Sequence, residues 1–182
     1  MSIIHLISGC KKGDRNSQQD LYMHFADHVM SIAYRYARDL PEAEDILQNV
    51  FIKVFENMDS YDAKKGSFEP WLSRIVINEA LQLLKKNSRY LLTNRNDGEV
   101  FDQTVESNVL ELMEAEQIHA LMHQLPDGYR IVFNLYVIEE YTHKEIATLL
   151  EITESASRSQ LTRAKKMLRK LIDQQKNFRH AI

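Results

Sequence analysis

The chain has 182 residues and a formal net charge of −3, and its 44% hydrophobic content is that of a globular rather than a disordered protein. Only 5 Gly and 3 Pro argue against the turns of a β-sandwich or barrel, and the lone Cys10 excludes an internal disulfide framework and fits a reducing compartment. No run approaches the roughly 18 apolar residues of a membrane span, and the apolar stretch Met1–Cys10 is too short and too poorly flanked for a signal peptide; the composition predicts a soluble, cytoplasmic chain with no membrane partner.

Helical periodicity dominates the chain. Ser17 with Asp20 three residues on resembles a capping box, and Leu21, Phe25, Val29, Ile32 and Tyr36 then recur at helical spacing. A second helix is predicted from Pro41, with Glu42, Glu44 and Asp45 suiting its positive end. Its apolar stripe, Ile46, Leu47, Val50, Phe51, Val54, Phe55 and Met58, is wide enough to be buried against more than one neighbour. Tyr61 to Pro70 reads as a loop with Lys64, Lys65 and Gly66 at its tip, and another helix is predicted over Trp71–Lys86. Thr93–Ser107 is polar and aperiodic and reads as a linker. The apolar pattern resumes at Val109, Leu112, Ile118, Leu121 and Leu125, and Pro126-Asp127-Gly128 breaks it. A helix over Tyr129–Glu139 comes next, then a full capping box in Thr142-His143-Lys144-Glu145, a turn at Glu151-Ile152-Thr153 and a last helix over Glu154–Gln174. The fold class is all-α, with two small helical domains at 1–92 and 108–182 joined by a flexible linker at 93–107.

Charge is distributed in blocks. From Asp97 to Glu116 the chain carries acidic residues and no Lys or Arg, whereas Arg158–Arg179 is basic apart from Asp173. Arg74–Arg95 is a second basic stretch, interrupted only by Glu79. Phosphates respond to charge within a Debye length of about 10 Å, so the net charge does not exclude a nucleic-acid partner.

A short capped helix, a three-residue turn and a longer basic helix make a helix-turn-helix. Leu161, Ala164, Leu168 and Leu171 give its last helix an apolar stripe. Ser155, Arg158, Ser159, Thr162, Arg163 and Lys166 occupy other faces in the N-terminal half, the half that enters the major groove in this motif. Small residues at the start, Ser155, Ala156 and Ser157, suit close approach. A plain helical hairpin is the competing reading, and the basic outer face favours DNA binding over it.

The stretch Leu125-Pro126-Asp127-Gly128-Tyr129-Arg130-Ile131-Val132-Phe133, with Tyr141-Thr142-His143-Lys144-Glu145-Ile146-Ala147 and Leu161-Thr162-Arg163-Ala164-Lys165-Lys166-Met167-Leu168, resembles the last domain of extracytoplasmic-function sigma factors. Ala43-Glu44-Asp45-Ile46-Leu47-Gln48-Asn49-Val50-Phe51 is similar to that family's polymerase-docking helix. Phe68-Glu69-Pro70-Trp71-Leu72-Ser73-Arg74-Ile75-Val76-Ile77-Asn78 is similar to its segment that melts and reads the minus-ten element. The resemblance covers about residues 5–90 and 110–172. It implies a factor, not an enzyme, whose partners are core RNA polymerase and promoter DNA, and it admits an anti-sigma protein as a further partner. It implies that Asp45, Gln48 and Asn49 meet the polymerase. The loop from Lys64 and Lys65 to Phe68, together with Asn78, would hold a base flipped from the non-template strand, with Trp71 packed beneath. Arg74, Lys85 and Lys86 would meet phosphates, and Arg158, Ser159, Thr162 and Arg163 fall on the minus-thirty-five contact positions. Ala156-Ser157 stands where the family commonly has Thr-Val, Gln160 where Arg is usual and Gln82 where Asp is usual; these departures bear on which promoter is read.

Other chemistries find little support. His24/His28 and His119/His123 are each four apart, but Phe25 and Ala120 stand where a zinc protease needs Glu, and no Cys or acidic partners complete a site. No glycine-rich phosphate loop exists, so no metal and no cofactor is expected. The alternative from another class is a helix-turn-helix regulator that binds duplex DNA without polymerase, its N-terminal half sensing or dimerising.

Overall fold

The computed structural model describes residues 2–86 and 120–179, the side chains of the second stretch as far as Gln174. Among these residues there are helices and turns and no strand. The chain divides into two compact units, Met1–Lys86 and Asn87–Ile182. The predicted linker 93–107 and the apolar positions Val109, Leu112 and Ile118 lie outside the described residues.

The N-terminal unit comprises α1 (Ile3–Lys11), α2 (Arg15–Tyr36), α3 (Leu40–Glu56), a 3-10 turn (Met58–Ser60) and α4 (Phe68–Lys86). Helix α2 is the central element: α1, α3 and α4 all pack on it, and α3 also packs on α4. The periodic residues Leu21, Phe25, Val29, Ile32 and Tyr36 form the buried stripe of α2, facing Ile46, Val50 and Val54 of α3 and Leu72, Val76 and Ala80 of α4 within one core. The width of the α3 stripe has its reason here, since that helix contacts two neighbours.

Helix α1 is an element that periodicity does not reveal. Its Leu6, Ile7 and Cys10 are buried, so the apolar run at the N-terminus is one face of a short packed helix. Gly9 is required for that packing, because a Cβ there would stand 2.0 Å from Ser17 Oγ. The predicted cap of α2 shifts accordingly: Asp14 is the N-cap, accepting from Ser17 N at 2.9 Å and from Ser17 Oγ at 2.5 Å. Ser17 is inside the helix, and its hydroxyl serves the cap from there. Asp39 caps α3 by accepting from Glu42 N at 3.0 Å. Helix α4 starts at Phe68, three residues before the predicted Trp71.

The C-terminal unit contains α5 (Asp127–Phe133), a π-helical turn (Asn134–Ile138), α6 (His143–Leu150) and α7 (Glu154–Arg179). The single helix expected over Tyr129–Glu139 thus begins two residues earlier, and its second half widens into the π turn. Such insertions displace the chain beyond them without breaking the helix. Helices α5 and α6 both pack on α7. Leu161, Ala164, Leu168 and Ile172 are the buried apolar positions of α7, with Leu171 only partly covered.

Candidate nucleic-acid and polymerase interfaces

In the N-terminal unit, Asp45, Gln48 and Asn49 are exposed one helical turn apart on α3. Ile52 extends that face by another turn and is 54% exposed. Glu42 is not part of it: its carboxylate accepts from Arg38 N at 2.7 Å and pairs with the Arg38 guanidinium at 3.0 Å, and the residue is buried.

The loop before α4 is a defined structure. Asp62 accepts from Lys64 N through Oδ1 at 3.0 Å, and its carbonyl accepts from Lys65 N at 2.9 Å. Gly66 has φ of +149°, a conformation that favours glycine, and the Tyr61 hydroxyl donates to its carbonyl at 3.0 Å. Lys64, Lys65, Gly66 and Ser67 are all exposed. Phe68 departs from expectation. It is buried, with its ring centroid 5.1 Å from that of Phe25 and 5.3 Å from those of Tyr61 and Trp71. A ring enclosed by three others cannot stack on a base, so Phe68 supports the loop from below, a role it shares with the half-buried Trp71.

Beyond the loop, Arg74, Asn78 and Lys85 recur along one face of α4, where Arg74 and Asn78 are exposed and Lys85 partly so; Lys86 is exposed beside them. At about 1.5 Å rise per residue this face spans some 16 Å between Arg74 and Lys85. On the flank, Lys53 of α3 pairs with the buried Glu79 and donates to Gln82 Oε1 at 3.0 Å. Gln82 is therefore an anchor between two helices, whatever else it touches.

In the C-terminal unit both signals of the helix-turn-helix are realised. Thr142 N donates to Glu145 Oε2 at 2.8 Å and Glu145 N donates to Thr142 Oγ1 at 3.3 Å, the two halves of the capping box. Glu151 closes α6 in the left-handed region with φ of 57°, and Thr153 Oγ1 accepts from Ala156 N at 3.0 Å to open α7. Ser155, Arg158, Ser159, Thr162, Arg163 and Lys166 share the face of α7 opposite its buried stripe, Ser155, Arg158 and Lys166 being exposed and the others partly so. Arg158 is tied to Glu154 at 2.7 Å in an exposed pair. It borders an open cleft of about 480 Å³ lined also by Tyr136, Glu140 and His143, which leaves room for the guanidinium to swing.

Two positions in α7 face inward: Ser157, read as a small residue for close approach, and Gln160, which stands where the family commonly has Arg. Ser157 is fully buried and shares a hydrogen bond of 2.8 Å with His143 Nδ1, so it joins the two helices of the motif. Gln160 is buried as well, on the stripe with Leu161 and Ala164. His143 stacks on Tyr136 of the π turn with centroids 4.4 Å apart. Burial, then the nearby cations Arg158 and Lys165, hold its pKa below the ordinary imidazole value, with Glu154 opposing. The sequence marks His143 only as part of a capping box. Among the described residues no group of His, Cys, Asp and Glu could hold a metal ion, and no helix is long and apolar enough to cross a membrane.

Known proteins share this organisation. Residues 21–90 match the family Sigma-70 region 2, and residues 115–168 match Sigma-70, region 4. The chain is 32% identical to the ECF RNA polymerase sigma factor SigW of Bacillus subtilis (strain 168), covering 93% of this chain and 96% of that one. It is 28% identical to SigM of the same strain, over 84% of this chain and 93% of the other. Among solved structures, the sigma factor RpoE of Bartonella quintana, determined in complex with the anti-sigma factor NepR, matches with a TM-score of 0.53 at 17% identity, over 85% of this chain and 96% of that one. The likeness to SigW runs through both units in order, and with the two region matches it shows that the chain belongs to the ECF family of RNA polymerase sigma factors.

Proposed function

We propose that this chain binds core RNA polymerase and directs promoter-specific initiation as a non-catalytic factor acting in the cytoplasm. The domain division is 1–92, linker 93–107 and 108–182. The α3 face of Asp45, Gln48 and Asn49 docks on the polymerase. The loop Lys64–Ser67 and Asn78 capture a base of the opened minus-ten element, while Arg74, Lys85 and Lys86 track the strand's phosphates. The α7 face of Ser155, Arg158, Ser159, Thr162, Arg163 and Lys166 reads the minus-thirty-five element, and an anti-sigma protein is the class of partner that would restrain the factor. The observation that best supports this reading is the α7 face itself: six polar or basic residues opposite a closed apolar stripe, on a helix opened by a cap and a tight turn. A base-reading Arg contributes about 1–3 kcal/mol of discrimination.

In vitro transcription with core polymerase on genomic fragments tests the proposal, with Arg158→Ala and Arg163→Ala as variants. Each is expected to lower initiation at the mapped promoters by roughly 10-fold or more, with polymerase association and helicity intact. The acidic stretch Asp97–Glu116 and the net charge of −3 predict weak promoter binding by the free chain. Tight, sequence-specific binding without polymerase, and no complex with it, would establish the regulator reading instead.

A further inference from the structure

The loop before α4 is held by a residue fifty positions upstream. Lys11, in the last turn of α1, donates from Nζ to the Tyr61 carbonyl at 2.9 Å. Tyr61 is the pivot of the loop. Its hydroxyl donates to the Gly66 carbonyl, and its ring packs against Phe68 at 5.3 Å and Trp71 at 5.5 Å. One end of Tyr61 is therefore fixed from α1 and the other fixes the loop tip. Helix α1 is itself well seated, through Leu6, Ile7 and Cys10, through Gly9 against Ser17, and through its contact with the 3-10 turn that leads into Tyr61.

We propose that Lys11 is a positioning residue for strand capture: through its bond to the Tyr61 carbonyl, α1 sets the conformation in which Lys64–Ser67 receives the base. The inference rests on the reading of that loop as the capture site. A mobile loop would have to be ordered on each binding event, and ordering backbone costs about 1–2 kcal/mol per residue. A charge-assisted hydrogen bond to its base, in a partly buried site, removes part of that cost in advance. Lys11 is an exposed residue, so its replacement leaves the core intact. The neighbouring Lys12, also exposed, is the C-cap of α1 and carries the same charge next to the same helix end, which makes it the control for simple helix-end electrostatics.

The experiment uses holoenzyme assembled from core polymerase and the full chain, with permanganate footprinting of the minus-ten region on duplex promoter and on a promoter with a pre-melted bubble. Lys11→Met is expected to lower open-complex reactivity on the duplex about ten-fold or more, the size of one net charge-assisted bond. The bubble should restore part of the loss. Lys11→Arg should retain most activity, and Lys12→Met should match wild type. Tyr61→Phe, which removes the bond to Gly66 and leaves the ring packing, is expected to reproduce the Lys11→Met loss. Emission of Trp71, the chain's single tryptophan, should shift in Lys11→Met and not in Lys12→Met. Wild-type reactivity in Lys11→Met, beside a loss in the Lys64→Ala/Lys65→Ala double variant, would overturn the role of Lys11 and leave the capture loop standing. Wild-type reactivity in the double variant as well would overturn the capture reading itself. Equal losses in Lys11→Met and Lys12→Met would assign the effect to helix-end charge and overturn the inference.

Discussion

The loop before α4 and the turn before α7 both deliver the first residues of a helix proposed to face DNA, and they are built by opposite means. The turn Glu151–Thr153 is made locally. A capping box starts the helix before it, a left-handed residue ends that helix, and Thr153 starts the next, all within a dozen residues. The loop Asp62–Ser67 is made at long range. Its base is bound by Lys11 from α1, and its floor is a ring cluster that draws Phe25 from α2, Tyr61 from the loop entrance, and Phe68 and Trp71 from α4. A local turn takes its conformation from neighbouring residues and draws on the rest of its unit mainly for packing. A long-range loop has one conformation only while the whole unit is folded. The difference suits the two tasks proposed for them, since reading a duplex needs a helix in a fixed frame, whereas holding an extruded base needs a pocket with walls from several directions.

Removing the floor of the loop should give the largest effect. Phe68→Ala opens a cavity among three rings and is expected to destabilise the N-terminal unit by about 3–5 kcal/mol. Urea unfolding followed by Trp71 emission measures it. A loss under about 1 kcal/mol would mean that the cluster closes over the gap and that the loop does not depend on it. The local device should be cheaper to damage. Thr142→Ala removes one half of the capping box and should cost about 1 kcal/mol, with faster amide exchange confined to α6 and the start of α7. Exchange that rises equally throughout α5 would show that the motif is less locally determined than its hydrogen bonds indicate.

The same contrast explains what can be read in the sequence. Thr142 and Glu145 stand at the spacing their reciprocal bonds require, and the basic and apolar faces of α7 arise from a 3.6-residue period, so the helix-turn-helix is legible from neighbouring letters. So are the buried stripes of α2 and α3. What is not legible depends on residues far apart. Nothing near Lys11 indicates that a carbonyl fifty residues on will accept from it, and α1 itself is too short for its period to stand out. Phe68 lies in a segment whose resemblance points to DNA, yet its burial is decided by Phe25 on another helix. Ser157 has the size for close approach to DNA and instead faces inward, because the register of α7 is set by Leu161 and Ala164 packing in its unit. The linker and its acidic run fall within residues 87–119, outside the described residues.

The smallest expected effect lies where local and long-range devices meet, at His143. The residue is the first of α6, and it also ties that helix to Tyr136 of the π turn and to Ser157 of α7. Its partial burial and the cations Arg158 and Lys165 favour the neutral ring, Glu154 opposing, so its folded pKa lies below the ordinary value of about 6.5. That direction fixes the sign of the pH dependence. Above about pH 6.5 the ring is neutral in both folded and unfolded chains, and the interaction contributes in full. As pH falls below that value the unfolded chain takes up the proton first, and the stabilising contribution is lost until the pH has passed the folded pKa. The ring is partly exposed, so solvent screens much of the charge and the loss should be modest. Titration of the His143 ring resonances in the folded protein checks the origin directly, with a midpoint expected below about 6.5. Denaturation midpoints at about pH 7.5 and about pH 5.5, either side of the ordinary imidazole value, check the consequence. The wild type should lose more stability between them than His143→Gln, which keeps a polar group for Ser157 and cannot take a proton. A ring midpoint above about 6.5 would mean that Glu154 outweighs burial and the two cations, and the wild type would then gain stability on acidification relative to the variant.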